Sequence, residues 1–88
     1  MSRLILVAGA SSDSGRAVST RLTADGARVI AVGSDLRRLA ETPALARYEC
    51  DLSSPTGVDT LVRRIRDEHG PIDGLVHLVG GWRAGRAD

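Results

Sequence analysis

Lysine is missing from this chain of 88 residues, and all twelve of its basic residues are arginine. This absence excludes Schiff-base chemistry and other lysine-assisted catalysis within the chain. The eleven acidic residues bring the net charge to +1, which provides no electrostatic footprint for nucleic acid or for an anionic membrane. We therefore expect neither nucleic acid nor a membrane as a partner.

Cysteine and long apolar runs are also scarce. The single cysteine, Cys50, cannot form an internal disulfide, and no apolar run approaches the ~20 residues that a membrane-spanning helix needs. The apolar run that begins at Leu4 has five residues, which is too short for the hydrophobic region of a signal peptide. These features predict a protein of the reducing cytoplasm.

The chain is organised around an aliphatic run that leads into a small, polar turn bounded by glycine. Residues 4–8 read LILVA, and residues 9–16 read GASSDSGR. A continuous aliphatic run is typical of a strand that is buried on both faces of a parallel sheet. A short turn after such a strand directs the free N–H groups of the next helix at an anion above the sheet. The pattern predicts a strand, a phosphate-binding loop and a helix.

The alternation of strand and helix then repeats along the chain. We predict four strands, at 4–8, 28–32, 46–50 and 72–79, with three helices between them. The first helix is predicted over about 14–24, with Gly26 as its stop, and the second carries Leu36, Leu39 and Ala40 on one face. The third begins with Ser54 as its cap, and it carries an apolar face formed by Val58, Leu61, Val62 and Ile65.

This alternation predicts an α/β fold with a Rossmann-like parallel sheet in the strand order 3-2-1-4. The first two helices should cover one face of the sheet and the third helix the other. The fourth strand is then an open edge carrying Val76, Leu78 and Val79, so a second chain or a further part of the protein is expected along it. We expect a half domain over residues 1–81, truncated before a second half, and a flexible tail over 82–88.

Three segments together resemble the amino-terminal, cofactor-binding half of the classical short-chain dehydrogenase/reductases. They are residues 8–15 (AGASSDSG), 50–52 (CDL) and 73–81 (DGLVHLVGG), so the resemblance spans nearly the whole chain. In the family signature TGxxxGxG, Gly9 and Gly15 match, while Ala8 replaces the threonine and Asp13 replaces the middle glycine. The spacing also fits the extended family's TGxxGxxG, with Ser12 as the mismatch. The family's NNAG after the fourth strand reads HLVG here.

The resemblance implies a dinucleotide cofactor, NADP or NAD. NAD-preferring members carry an acid where Gly33 stands, and NADP-preferring members often carry arginine where Ser34 stands. Neither residue type is present, and the nearby Arg37 and Arg38 favour NADP over NAD. The implied cofactor-binding residues are Gly9, Ser11, Ser12, Asp13, Ser14 and Gly15 at the pyrophosphate, Ser34 at the ribose, Asp51 and Leu52 at the adenine, and Gly80 and Gly81 at the nicotinamide-side ribose.

The resemblance also implies that the catalytic residues lie outside this chain. The family's catalytic serine and its Tyr-x-x-x-Lys pair lie beyond the fourth strand. Tyr48 is the single tyrosine, and it is followed four positions later by Leu52, so it cannot take the place of that pair. Without lysine nothing lowers the tyrosine pKa for proton transfer, and we predict no hydride transfer by this polypeptide alone. We assign no catalytic residue and no metal ligand.

Asp13 is the residue most at odds with nucleotide binding. A like charge about 4 Å from a phosphate costs ~1 kcal/mol in bulk water and ~4 kcal/mol at an effective dielectric of 20. Alternatively, Asp13 caps the first helix and its own carboxylate occupies the loop. Two further residues have alternatives, since Ser34 could cap the second helix and Asp51 could be an ordinary loop residue.

Three functions stay open at this point. The first is the cofactor-binding half of a short-chain oxidoreductase. The second is a non-catalytic nucleotide-binding or interaction module that pairs through its open edge strand. The third is a structural remnant that binds nothing because Asp13 fills the loop.

Overall fold

A computed structural model of the chain describes residues 3–10, 12–51 and 53–78. Four strands form one parallel sheet: β1 (Leu4–Ala8), β2 (Arg28–Gly33), β3 (Ala46–Glu49) and β4 (Gly74–His77). Their order across the sheet is β3-β2-β1-β4. Three helices connect them: α1 (Asp13–Ala24), α2 (Leu36–Leu39) and α3 (Pro55–His69). The predicted Rossmann-like α/β fold and its strand order are confirmed.

Strand β1 is the centre of the sheet and of the core. It lies between β2 and β4, and all five of its residues are buried, which explains why its sequence is aliphatic without alternation. On one face, Ile5 and Val7 belong to a cluster against which Val18 of α1 packs. On the other face, Leu6 belongs to a cluster that includes Ile65 of α3. Leu39 of α2 joins the α1 side, so the predicted division of the helices between the two faces is confirmed.

The ends of the helices follow local capping chemistry. Helix α1 begins one residue before the predicted start, and its chain reverses at Gly26, whose φ of 90° suits glycine. Helix α3 begins as predicted, because the Ser54 side chain accepts a hydrogen bond from the Gly57 N–H at 3.2 Å and Pro55 follows the cap. None of the helices in the described ranges is long and apolar enough to cross a membrane.

One prediction about apolar side chains is wrong. Leu36 and Ala40 do not share the burial of Leu39: Leu36 is 48% exposed and Ala40 is exposed, because α2 is a single turn that joins the core through Leu39. Strand β4 is the predicted open edge of the sheet. Val76 of this strand and Leu78 just after it pack against the α1-side cluster, whereas Leu75 is 61% exposed. Alternate residues of a strand point to opposite faces, and the α3-side face of β4 is poorly covered.

Four strand ends differ from the prediction by one or two residues. Strand β2 extends to Gly33, β3 ends at Glu49, and β4 begins at Gly74 and ends at His77. Val79 and the predicted domain boundary at residue 81 lie outside the described residues.

Candidate functional site

The carboxyl ends of the parallel strands bring three predicted site residues to one edge of the sheet. Gly9 follows β1, Ser34 follows β2, and Asp51 lies two residues after the end of β3. Since β1, β2 and β3 are neighbours and run in the same direction, the loops after them are adjacent. Ligands of open α/β sheets bind at this edge. Ser11, Leu52, Gly80 and Gly81, which were also predicted, lie outside the described residues.

The loop after β1 is held against β2 by its own backbone. The N–H groups of Gly9 and Ala10 both donate to the carbonyl of Val32, at 2.8 and 3.0 Å. Gly9 has a φ of 84°, a conformation that favours glycine, and this allows the chain to turn sharply at the end of the strand. The turn therefore leaves β1 in a fixed direction and leads into α1.

Ser12, rather than Asp13, caps helix α1. The Ser12 Oγ accepts a hydrogen bond from the Gly15 N–H at 3.0 Å and donates one to the Gly9 carbonyl at 2.8 Å. Ser12 has the extended backbone of a cap, whereas Asp13 is already the first helical residue. The hypothesis that Asp13 caps the helix is therefore wrong.

The first turn of α1 presents two backbone donors. The N–H groups of Asp13 and Ser14 have no acceptor among the described residues, while those of Gly15 and Arg16 both donate to Ser12. Such N–H groups lie at the positive end of the helix dipole, where they suit an anion. The pair can therefore donate two hydrogen bonds to a phosphate.

Gly15 lets the helix approach the loop closely. A Cβ atom at Gly15 would lie 2.4 Å from the Gly9 carbonyl oxygen and 2.5 Å from the Ala10 Cα, both of them backbone atoms. Real Cβ atoms do not approach backbone atoms this closely, so no side chain fits without a shift of the loop or the helix. The glycine that matches the last position of the family signature thus has a packing reason here.

The carboxylate of Asp13 is paired with Arg16. The Asp13 Oδ1 lies 2.8 Å from Arg16 Nη2, and the Asp13 side chain is 91% exposed. Arg16 Nη1 also lies 2.8 Å from Glu41 Oε1, so the guanidinium joins the start of α1 to the turn after α2. Within the described residues, no loop amide donates to the Asp13 carboxylate. The hypothesis of a structural remnant required the Asp13 carboxylate to occupy the loop amides. The structure instead places this carboxylate beside Arg16.

The cap of α2 also differs from the prediction. The Asp35 Oδ1 accepts hydrogen bonds from the N–H groups of Arg37 and Arg38, at 3.0 and 3.4 Å. Asp35 has an extended backbone, and it takes the capping position that was predicted as one alternative for Ser34. That alternative is wrong, and Ser34 is an exposed residue at the end of β2.

Asp51 is held in a local turn. Its Oδ1 accepts hydrogen bonds from the Ser53 hydroxyl at 2.6 Å and from the Ser53 N–H at 3.0 Å. These two bonds lower the pKa of the Asp51 carboxyl, so the group is ionised at neutral pH. Burial, with a smaller effect of the Asp51 charge, raises the pKa of the neighbouring Cys50 thiol. Cys50 packs partly against the α3-side cluster, as expected for a small apolar residue rather than a reactive thiol.

A second polar cluster lies at the opposite end of α3 from Ser54. The Tyr48 hydroxyl contacts Glu68 and lies 3.0 Å from His69 Nε2, and the Arg64 guanidinium lies 5.4 Å from the centre of the Tyr48 ring. Burial and the hydrogen bond to Glu68 raise the pKa of Tyr48. The same hydrogen bond, with a smaller one from Arg64, lowers the pKa of Glu68. The cluster fastens α3 to β3.

Sequence reasoning missed one residue that contacts the loop. The hydroxyl of Thr42, a buried residue, donates to the Ala10 carbonyl at 2.8 Å. No local pattern could have revealed it, because the two residues are 32 positions apart and the turn after α2 has no motif. Among the described residues, no group of His, Cys, Asp and Glu side chains could hold a metal ion.

Comparison with known proteins gives consistent matches. The sequence profile of the family described as short chain dehydrogenase matches residues 3–88. The chain is 34% identical over 86 residues to a 3beta-hydroxysteroid dehydrogenase of Mediterraneibacter gnavus, a match that covers 89% of this chain and 31% of that protein. The chain thus spans about a third of the length of the curated relatives it matches.

Solved structures give the same result. An NAD+-bound xylitol dehydrogenase superposes with a TM-score of 0.75 and 28% identity, over 83% of this chain and 31% of that one. A metagenomic short-chain oxidoreductase in complex with NADP superposes with a TM-score of 0.77 and 27% identity, over 83% of this chain and 37% of that one. In both comparisons this chain matches only about a third of a larger chain.

Proposed function

The chain belongs to the short-chain dehydrogenase family, and from this premise we propose that it is the NAD(P)-binding portion of a short-chain oxidoreductase. The observation that carries the proposal is the loop between β1 and α1. Its Asp13 and Ser14 N–H groups are free among the described residues, at the carboxyl end of the central strand. That is where a parallel α/β sheet binds the pyrophosphate of a dinucleotide.

The residues of the loop fit a pyrophosphate in three respects. Ser12 fixes the first turn of the helix, Gly15 allows its close approach to the loop, and the dipole of the twelve-residue helix α1 favours negative charge. Asp13 is compatible with binding because its carboxylate is paired with Arg16 and is strongly exposed, so solvent screens its repulsion of a phosphate. We expect Asp13 to weaken the binding of a pyrophosphate but not to prevent it.

The cofactor proposed is NADP in preference to NAD. Gly33 and Ser34 at the end of β2 carry no carboxylate that would repel a ribose phosphate, and the exposed residues Arg37 and Arg38 lie three and four positions beyond Ser34. The carboxylate of the intervening Asp35 is engaged as the cap of α2, where it accepts hydrogen bonds from the N–H groups of Arg37 and Arg38. The solved relatives include one complex with each cofactor, so they support dinucleotide binding without deciding the preference. Asp51 and Leu52 are proposed to lie beside the adenine, and Gly80 and Gly81 beside the nicotinamide-side ribose.

We expect this polypeptide to bind the cofactor without turning over a substrate. When bound, the nicotinamide would supply hydride transfer, but the chain contains no lysine and thus no Tyr-x-x-x-Lys pair to move the accompanying proton. The chain's own residues would hold the pyrophosphate and orient the dinucleotide. The activity of the whole enzyme therefore depends on residues that this sequence does not contain.

Titration of the full chain with NADPH and with NADH tests the proposal, with nicotinamide fluorescence and calorimetry as the readouts. We expect saturable binding of one dinucleotide per chain, tighter for NADPH. ADP carries a pyrophosphate and should displace NADPH, whereas adenosine, which lacks it, should compete far less. The absence of saturable binding, or equal competition by adenosine, would contradict the proposal.

A second candidate function is favoured by the poorly covered face of β4. In the described residues β4 pairs with β1 alone, Leu75 is 61% exposed, and a groove of about 290 Å³ beside it is lined by Leu6, Val62 and Ile72. A non-catalytic nucleotide-binding module that pairs through this edge would have the same features. The particle mass in solution discriminates, because such a module would form a stable dimer that still binds NADPH.

A further inference from the structure

A buried hydroxyl holds the loop between β1 and α1 from the side of α2. Thr42, in the turn after α2, is 0% exposed, and its Oγ1 donates a hydrogen bond of 2.8 Å to the Ala10 carbonyl. Ala10 is also 0% exposed, and its N–H donates to the Val32 carbonyl at 3.0 Å. Thus the N–H of Ala10 is hydrogen-bonded to β2, and the carbonyl of Ala10 is hydrogen-bonded to Thr42.

Thr42 is itself held firmly in place. Its N–H donates to the Leu39 carbonyl at 2.9 Å, and its carbonyl accepts from Arg47 Nη2 at 2.7 Å and from Arg47 Nε at 3.1 Å. Arg47 Nε also donates to the Leu39 carbonyl at 3.0 Å. Since Arg47 belongs to β3, a chain of hydrogen bonds runs from the sheet through Thr42 to Ala10.

The position of Ala10 determines where the free N–H groups of α1 lie. Gly15 packs so closely on Ala10 that an added Cβ would lie 2.5 Å from the Ala10 Cα. The first turn of α1, which carries the N–H groups of Asp13 and Ser14, therefore cannot move closer to Ala10 without a clash. A displacement of Ala10 toward α1 would be transmitted to both donors.

From these contacts we infer that Thr42 is a positioning residue for the pyrophosphate site: its hydroxyl fixes Ala10 and so aligns the N–H groups of Asp13 and Ser14. This inference rests on the proposed function, because the proposed function supplies the pyrophosphate to which the two N–H groups would donate. Thr42 acts through the loop backbone and does not touch the dinucleotide. The turn after α2 thereby becomes part of the binding machinery, although it lies in none of the three motif segments 8–15, 50–52 and 73–81.

Removal of the hydroxyl without a change of shape tests the inference. In the full chain, Thr42→Val deletes the donor and leaves the buried Ala10 carbonyl without it, whereas Thr42→Ser keeps the donor. We expect Thr42→Val to raise the Kd for NADPH about five- to tenfold, the scale of one misaligned hydrogen bond, and Thr42→Ser to stay within about twofold. Hydrogen exchange of the amides of residues 10–15 should accelerate in Thr42→Val alone.

Thr20→Val is a matched control. The Thr20 hydroxyl donates to the Arg16 carbonyl at the same 2.8 Å, but within the exposed face of α1. That variant should leave both the Kd and the exchange of the loop unchanged. If Thr42→Val instead lowers the Tm while the Kd and the loop exchange match those of Thr20→Val, the role of Thr42 is only structural and the inference is wrong.

Two further outcomes separate this inference from the proposed function. Absence of NADPH binding by the unaltered chain contradicts the proposed function, while selective acceleration of loop exchange in Thr42→Val still supports the positioning role. Where Thr42→Val does not fold, Arg47→Gln removes the two donors to the Thr42 carbonyl and should raise the Kd about two- to threefold. An unchanged Kd and unchanged loop exchange in Arg47→Gln would overturn the inference.

Discussion

The close contact between α1 and its preceding loop predicts that Gly15→Ala will be strongly destabilising. The added methyl would lie 2.4 Å from the Gly9 carbonyl oxygen, and 2.5 and 2.8 Å from the Cα and carbonyl carbon of Ala10. All three atoms are backbone, so no rotation of a side chain relieves the overlap. Either the loop moves away from β2 or the start of α1 moves away from the sheet.

The expected size of the effect follows from two opposing contributions. Overpacking costs about 1–3 kcal/mol, and the overlap here places the cost at the upper end of that range. Replacement of a helical glycine by alanine recovers at most about 1 kcal/mol. The net loss is about 2 kcal/mol, which in a domain of this size lowers the Tm by roughly 8–16 °C.

Gly57→Ala is the matched control because it is the same substitution in the first turn of another helix. A Cβ at Gly57 would have its nearest contact at 3.4 Å, with the Ser54 Oγ, which is ordinary packing. Its helix should therefore be unaffected or stabilised by a few tenths of a kcal/mol.

Thermal unfolding followed by circular dichroism measures both variants. We expect a clear fall in Tm for Gly15→Ala alone, together with weaker NADPH binding, since the displaced helix carries the N–H groups of Asp13 and Ser14. Equal Tm values for the two variants would show that the backbone around Gly15 accommodates the methyl group without strain.

Two further predictions concern charged and titratable side chains. Asp13→Asn, like Asp13→Gly, should tighten NADPH binding about two- to fivefold, because an exposed and paired charge contributes only about 0–1 kcal/mol. The control is Asp25→Asn, at the other end of α1 and also beside an arginine. Unchanged or weaker binding by the Asp13 variants would contradict the prediction. Tyr48→Phe should flatten the pH dependence of Tm at both extremes. Because the pKa of Glu68 is lowered, this group stabilises the fold at pH values above the ordinary glutamate pKa, and that stability is lost as the pH falls through the lowered pKa. Because the pKa of Tyr48 is raised, the stability that this group contributes is lost as the pH rises above the ordinary tyrosine pKa. Identical pH profiles for Tyr48→Phe and the unaltered chain would show that the cluster has no such role.

The sequence allowed the fold to be predicted because its signals are local and agree with one another. The aliphatic run at 4–8 marks a strand buried on both faces, and Ser54 with Pro55 marks the start of a helix. The strand order followed from the position of the polar loop after the first strand. Each of these signals lies within a few residues of the element that it predicts.

The capping residues could not be predicted in the same way. Adjacent residues Ser12 and Asp13, and likewise Ser34 and Asp35, are all good caps, so propensity alone does not choose between them. Geometry decides in each case. Ser12 is the residue in extended backbone whose short side chain reaches both the Gly15 N–H and the Gly9 carbonyl, and Asp35 is the residue directly before α2.

The contacts that surround the candidate site are tertiary and left no sequence signal. The bond from Thr42 to Ala10 joins residues 32 apart, and the ion pair from Arg16 to Glu41 joins residues 25 apart. The exposure of Leu75 depends on which elements cover β4, which its own sequence does not encode. The loop itself was therefore predictable, but the tertiary contacts that hold it to the turn after α2 were not.

Amide NMR of the full chain during a titration with NADPH reports on each N–H group separately, so it shows directly where the dinucleotide binds. We predict saturable shifts that are largest at the amides of Asp13 and Ser14, and little change near Arg66 at the far end of α3. Saturation without a response at Asp13 and Ser14, or no saturable shift at all, would contradict the account of a dinucleotide bound at the start of α1.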